Sequence, residues 1–379
     1  MRVLYFSKDY TPHDWRFLDL LSRHNFDVYY LRMDPGSRTI EKRPVPDRVE
    51  VVEWVTGIGA GRGPLGWFGR VRDFSRILNK IQPDLVHAGP IHSCGFLAAV
   101  TGFKPIFLVS WGSDLLVDAE RNWMWRKFTR FILRRSAALL LDSEAGRAEA
   151  KALVDYPDDR ITMLPWGVDL RDFRPQEGVG SIRRDLGWET NPTIVSNRNW
   201  EKIYGIEVVL HGFAMAWARA PELRLFLLGD GSLNAAVYET IRSSGIEKVV
   251  HVPGRVGQSE LREFLNSSDL YLSASFSDGT SVSLLEAMAC GLPALVTDLP
   301  SNREWVTEGL NGWTFPSGNS KALADRLVHA VSDADRLAAA GREALKVARE
   351  RADWNVNSMK IVYMYHKLAG PAQSPAAAN

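Results

Sequence analysis

Short apolar runs alternate with amphipathic stretches along most of the chain. In the first half the runs are Val3–Phe6, Val28–Leu31, Val49–Val55, Leu85–His87, Ile106–Val109, Ala138–Leu141 and Ile161–Leu164. Each has the length of a strand. Helical periodicity falls between them, for example over Trp15–Arg23, Val71–Ile81 and Trp123–Arg135. Repeated strand–helix alternation predicts a parallel, doubly wound α/β sheet.

The alternation pauses over 165–192, which holds Pro165, Gly167, Pro175, Gly178, Gly180, Gly187 and Pro192. So many breakers read as an interdomain linker. Strand-like runs then resume at Thr193–Ser196, Leu225–Leu228, Val249–Val252, Leu270–Ser273 and Ala294–Thr297. Beyond them Ala322–Ala330, Arg336–Arg349 and Val356–Leu368 read as helices without strands. The expected division is a Rossmann-like domain over 1–172, a linker over 173–191 and a second Rossmann-like domain over 192–353. A helix over 354–370 crosses back to the first domain, and 371–379 forms a disordered tail. Two such domains facing each other place a ligand crevice at the carboxyl ends of both sheets.

Composition narrows the class. At 379 residues the chain is too long for one typical α/β domain. It is 45% hydrophobic and 24% charged, ordinary for a globular protein, and its net charge of +1 argues against a dedicated nucleic-acid binder. Cys94 and Cys290, the two cysteines, lie far apart, so a reducing cytoplasmic setting is expected. The first apolar run is too short for a signal peptide, and no run reaches the roughly 20 residues that span a bilayer.

The chemistry concentrates between Ser277 and Asp298. Asp278 lies in a polar loop and Glu286 inside a helical pattern, separated by the small residues Gly279, Thr280, Ser281 and Ser283 around Val282. The unpaired N–H groups of such a helix start favour an anion. The flanking carboxylates suit hydroxyls rather than phosphate. Phosphate between hydroxyls describes a sugar nucleotide. The alternatives are a turn or cap role for Asp278 and a surface or capping role for Glu286.

Arg198 lies just past Thr193–Ser196, at the carboxyl end of a strand, and Lys202 follows it. Two cations there can neutralise a leaving diphosphate, or simply be solvated loop charges. Gly229 and Gly231 follow Leu225–Leu228 and either admit a nucleoside to the backbone or form a tight strand-to-helix turn. Gly61–Gly66 matches G-x-G-x-x-G, but it follows the third strand and Pro64 removes a donor. It reads as a loop on the acceptor side. Asp333 and Asp335 sit at a helix start, where N-capping explains them, and no cluster has metal-ligand spacing. Trp123–Arg135 carries five basic residues and no acid. It either lies on an anionic membrane surface or packs on its sheet with a solvated basic face.

Together these residues resemble a family 4 retaining glycosyltransferase of the GT-B fold over essentially the whole chain. Asp278…Glu286 resembles that family's Glu-x7-Glu motif, with Asp in first place. Leu285–Pro293 resembles its most recognisable run, Leu164–Pro175 its interdomain segment and Leu228–Gly231 its glycine turn. Asp353-Trp354 onward resembles the helix that braces the N-terminal domain. The resemblance implies a nucleotide-diphosphate sugar donor, UDP or GDP, held without cofactor or metal by the C-terminal domain. In it Arg198 and Lys202 meet the diphosphate, Glu286 the ribose and Asp278 the donor sugar, while Val252–Gly254 and Arg255 frame the base. The acceptor, a glycan, lipid-linked or small molecule, goes to the N-terminal domain.

Three departures stand out. Trp111, in Trp111-Gly-Ser-Asp114, replaces the family's usual histidine, and an indole cannot act as a base. His13, His87 or His92 would have to serve instead. Tyr204-Gly205 occupies the place of the usual Lys-Gly. The first loop, Asp9-Tyr-Thr-Pro-His13-Asp-Trp-Arg16, lacks the common Gly-Gly. A sugar-nucleotide-binding subunit without transfer activity and a sugar-nucleotide epimerase are the other readings.

Overall fold

Thirteen strands build two wholly parallel sheets in a computed structural model that describes residues 1–34, 41, 43–55, 64–176 and 181–370. The first holds β1 (Arg2–Ser7), β2 (Asp27–Arg32), β3 (Val49–Val52), β4 (Leu85–Gly89), β5 (Ile106–Val109), β6 (Ala138–Leu141) and β7 (Ile161–Met163). Its strand order is β3-β2-β1-β4-β5-β6-β7. The second holds β8 (Thr193–Ser196), β9 (Arg224–Leu228), β10 (Val250–Gly254), β11 (Leu270–Ser273), β12 (Ala294–Thr297) and β13 (Gly312–Phe315), in the order β10-β9-β8-β11-β12-β13. Most of these strands are buried on both faces, which is why they read as continuous apolar runs.

Each order reverses once. The chain runs outward from β1 through β2 to β3, then returns to β4 on the other side of β1. In the second sheet it runs from β8 to β10 and returns to β11. The reversals between β1 and β4 and between β8 and β11 are the switch points where ligands of such sheets gather.

The described residues divide into two compact units, Met1–Leu164 with the segment from Ser358, and Pro165–Asn357. The division falls before the expected linker. Phe173 and Trp188 lie buried in the second unit's core, and Ser181–Asp185 is helical. Residues 354–357 belong to the second unit, whereas the helix Met359–Ala369 belongs to the first. The third strand run is shorter than its pattern, ending at Val52. β13 was hidden from periodicity because it begins on glycine and Thr314 interrupts its apolar run. The tail 371–379 lies outside the described residues, and the stretch read as a loop at Gly61–Gly66 lies partly outside them. Its end, from Pro64, already opens the helix Pro64–Ile81, with proline at the first helical position where its missing N–H costs nothing.

The helix Met359–Ala369 completes the first unit's core. Tyr365 is fully buried, its hydroxyl hydrogen-bonded to His87 Nδ1, with its ring against Phe26 and Phe107. His87 lies inside β4, its ring tilted against that of Tyr5 with centroids 4.3 Å apart. It is therefore core, not a loop base as the sequence suggested. Burial alone pushes its pKa down to about 3. An unfolded histidine takes a proton near 6.5 while the folded one stays neutral, so the unfolded state binds more protons across the window from about 6.5 down to about 3. Stability from this group is complete above the window and falls through it. His87→Phe should lower the midpoint at pH 7.5, because Tyr365 loses its partner, yet flatten the drop between pH 7.5 and pH 5. Thermal melts at both values check this; an unchanged slope would remove His87 from the acid response.

Candidate active site

The loops after β8 and β11 meet at the second sheet's switch point. Phe276 N–H donates to the Ile203 carbonyl at 2.8 Å, tying one loop to the other. The β11 loop leads into the helix Val282–Ala289, capped by Ser281, whose hydroxyl accepts from Leu284 N–H at 3.4 Å. Thr280 and Ser281 are buried. The helix turns its apolar residues Leu284, Leu285, Ala287 and Met288 into the core. Val282, Ser283 and Glu286 are its partly exposed positions. Their i, i+4 and i, i+3 spacing puts them on one face. Glu286 thus sits half-buried one turn in from the helix start.

Arg198 joins the two loops. One guanidinium nitrogen donates to Ser281 Oγ at 2.6 Å and Ser283 Oγ at 3.0 Å, and another meets Asp278 Oδ2 at 2.7 Å. The arginine side chain is 11% exposed and the carboxylate 16%. Burial pulls the Arg198 pKa down, but Asp278 and then Tyr271 push it up more, so it stays charged. Burial also raises the Asp278 carboxyl above its ordinary value, against the pull of Arg198 and of hydrogen bonds from Gly279 and Ser275. Both residues named from sequence are therefore present at the switch point, but each is the other's partner.

Sequence reasoning missed most of the frame around this pair, naming Tyr204 alone and only as a replacement for lysine. The Tyr204 ring lies 4.2 Å from the Arg198 guanidinium carbon, a cation–π contact. Tyr271 OH bonds Ser283 Oγ at 2.9 Å, and Ser301 Oγ donates to the Asp278 carbonyl at 2.8 Å. Ser196 Oγ, Asn197 Oδ1, Arg198 Nε and Trp200 Nε1 are buried with no hydrogen-bond partner among the described residues. Such a concentration at one strand end and its loop calls for an explanation. From sequence Tyr204 stood out only as the residue in the place of the family's usual lysine.

Other expected residues stand differently. Lys202 is exposed and forms no ion pair among the described residues. It does not join the Arg198 cluster; Tyr204 takes that position. Arg255 is exposed just past β10. Gly229 has φ +128, and a Cβ there would meet the Arg198 carbonyl at 2.6 Å; one on Gly231 would meet the Trp200 carbonyl at 2.4 Å. These glycines admit the neighbouring protein loop, the tight-turn role that the sequence also offered. Trp200 N–H donates to the Asp230 carbonyl at 3.1 Å across that contact.

In the first unit, the loops after β1 and β5 bring His13 and Trp111 together, rings edge to face at 5.3 Å. Thr11 and Asp14 form a capping box that starts the helix Pro12–Arg23, on which His13 and a half-buried Arg16 lie. Burial, then the Arg16 charge, lowers the His13 pKa to about 3, so its ring is neutral at pH 7. Asp114, expected at the acceptor side, is buried. It accepts from Ser110 Oγ at 2.5 Å and from the N–H groups of Ile91, Trp111 and Leu115 at 3.0–3.2 Å. It shapes its loop instead of facing a ligand. His92 is held by Thr129 Oγ1 at 2.7 Å and stacks on Phe128. Asp333 caps the helix Ala334–Arg351 by accepting from Arg336 N–H.

Comparison with known proteins adds the family. Residues 2–143 match the model described as glycosyl transferase 4-like, and residues 180–347 match glycosyl transferases group 1. D-inositol 3-phosphate glycosyltransferase of Thermobispora bispora is 26% identical over 57% of this chain and 53% of its own length. The colanic acid biosynthesis glycosyltransferase WcaL of Escherichia coli, itself assigned provisionally, is 27% identical over 61% of this chain and 55% of its own. The match therefore spans about half the length of these curated relatives. N-acetyl-alpha-D-glucosaminyl L-malate synthase of Bacillus anthracis is 27% identical over 75% of this chain and 74% of its own. Among solved structures, Anabaena HepE in complex with UDP covers 97% of this chain and 100% of its own at TM-score 0.79 and 17% identity. Sucrose-phosphate synthase of Thermosynechococcus elongatus covers 97% and 99% at TM-score 0.80 and 14% identity. The two parallel-sheet α/β domains are those of the GT-B fold. With both halves matched by its models, the chain belongs to the GT4-type glycosyltransferases.

Proposed function

We propose that this chain is a metal-independent, retaining glycosyltransferase. It moves a hexose-type sugar from a nucleotide-diphosphate sugar to an acceptor hydroxyl on a glycan, lipid-linked or small molecule. The observation that carries the reading is Arg198, forked over the start of a helix at the second switch point and paired with Asp278. The matched part of HepE was solved with UDP and with UDP-glucose, which supports a uridine donor.

Each group has a physical task in this reading. Arg198 and the N–H groups of Val282 and Ser283 take the diphosphate, where negative charge builds as the glycosidic bond breaks. That arrangement supplies the stabilisation a metal ion gives in other transferases. Glu286, on the open helix face, accepts hydrogen bonds from the ribose. A phosphate approaching Arg198 competes with Asp278 for the guanidinium, and the carboxylate it frees turns to hydroxyls of the transferred sugar. Retention follows from attack on the face the diphosphate leaves, through an oxocarbenium-like transition state. His13 is too weak a base at pH 7 to take the acceptor proton. It acts as a hydrogen-bond partner for an acceptor, and the departing phosphate takes the proton.

Thermal shift with UDP-, GDP- and ADP-sugars identifies the donor, since a ligand of the folded state raises the midpoint. Nucleotide release that requires an added acceptor is the expected result; release without acceptor dependence or product would make the chain a binding subunit. Glu286→Ala should weaken donor binding by about 1.5–3 kcal/mol, the worth of charge-assisted hydrogen bonds. Unchanged affinity in calorimetry would place Glu286 outside the site. Arg198→Ala leaves Asp278 buried and unpaired, at about 3–5 kcal/mol of stability. Arg198→Lys keeps the charge without the fork and is the cleaner variant. Its turnover should fall more than its donor affinity in steady-state and binding assays; a loss confined to affinity refutes the transition-state role.

A further inference from the structure

The helix Trp123–Arg135 does two things at once. Thr129, Ile132 and Leu133 are buried, the latter two in the first unit's core. At 100° per residue, Trp123, Met124, Lys127, Phe131, Arg134 and Arg135 share an arc of about 120° on the opposite side. All six are exposed, Trp123 by 65% and Met124 by 58%. Half are apolar, half are basic, and none is acidic.

This arc is bordered by two different depressions. On one flank a basic pocket of about 880 Å³ is lined by Lys104, Lys127, Arg130, Arg134 and Arg135 with Gly102 and Phe131. None of the five cations forms an ion pair among the described residues. Arg126, on the far side of the same helix, is by contrast held by Glu120 and Glu149. On the other flank an apolar groove of about 570 Å³ is lined by Trp67, Phe68, Phe96, Met124, Trp125 and Phe128 beside His92. Phe68 at its rim is 74% exposed.

The chain's net charge is only +1, so five cations without a carboxylate partner around one pocket are a local concentration. Like charges gathered without carboxylates repel one another, and an anion relieves that cost. A soluble polyanion would satisfy the cations but gains nothing from Trp123, Met124 and Phe68. A bilayer satisfies both, with phosphate headgroups over the cations and acyl chains against the apolar side chains. Trp123 is suited to the boundary, where an indole keeps its N–H wet and its ring in the acyl region. No described helix is long and apolar enough to cross a membrane, so the contact is in the plane of the interface. We propose that this face of the first unit docks onto an anionic phospholipid bilayer, with the helix Trp123–Arg135 lying along the surface. The proposal goes beyond the donor-site reading and stands or falls separately from it.

The test is co-sedimentation of the full chain with vesicles of phosphatidylcholine alone and of phosphatidylcholine with phosphatidylglycerol, at 0.1 M and 0.5 M salt. Binding should require phosphatidylglycerol and weaken at high salt. Arg134→Gln and Arg135→Gln should each lower partitioning on the order of fivefold, the worth of one cation near an anionic surface. Trp123→Ala with Phe68→Ala should lower binding without changing its salt slope. These exposed positions leave the fold and nucleotide-sugar binding intact, read by thermal shift on the same samples. Equal binding to both vesicle types, or none to either, overturns the proposal. So does wild-type binding by the Trp123/Phe68 variant, or a midpoint raised by inorganic phosphate while vesicles leave the protein in the supernatant.

Discussion

The reversal of strand order between β8 and β11 is the constraint on which the donor site depends. Because every strand of the second sheet runs the same way, all its carboxyl-end loops emerge along one edge. Only at the reversal do two neighbouring loops lead away to opposite sides, leaving room between them. Arg198 comes from one loop and the Asp278–Glu286 segment from the other, about 80 positions apart in sequence. A ligand there is met by groups the chain can adjust independently.

That site is held by contacts that have little to do with a ligand. The β9 loop can approach the Arg198–Trp200 backbone only because Gly229 and Gly231 carry no side chain there. Ser281 caps the helix and receives Arg198 through the same hydroxyl. The ion pair is largely removed from water, where its attraction is strong but its desolvation is costly. The serine hydroxyls and the Tyr204 ring share that burden by engaging the rest of the guanidinium. Such an arrangement sets charge and geometry before a ligand arrives, which is what electrostatic stabilisation of a leaving group needs.

Sequence patterning revealed the architecture well because parallel strands are buried on both faces and leave unbroken apolar runs. It failed where a special residue masked the pattern. β13 opens on Gly312 and carries Thr314 within its run, and the helix from Pro64 begins inside a stretch read as a loop. The donor segment was readable because Asp278, the small residues and Glu286 are contiguous. The partners Tyr271 and Ser301 were not, since nothing local marks side chains brought together by sheet order, and Tyr204 stood out only as the replacement of a usual lysine. Asp114 and His87 misled for a related reason. A polar residue near a strand end looks functional in sequence, yet Asp114 is spent on backbone N–H groups and His87 is locked under Tyr365. Fold and motif were legible; burial, which decides whether a polar group can act, was not.

The helix Met359–Ala369 has a bearing on how the molecule comes into being. It supplies Tyr365 to the core of a unit whose other elements all precede residue 165. On the ribosome that unit's sheet is made before the second unit, but its core lacks Tyr365 until residues 359–369 follow. The second unit, continuous from Pro165 to Asn357, can mature before it. Synthesis order and completion order are therefore inverted, and the nascent first half must wait with a sheet face uncovered, the kind of surface that invites chaperones.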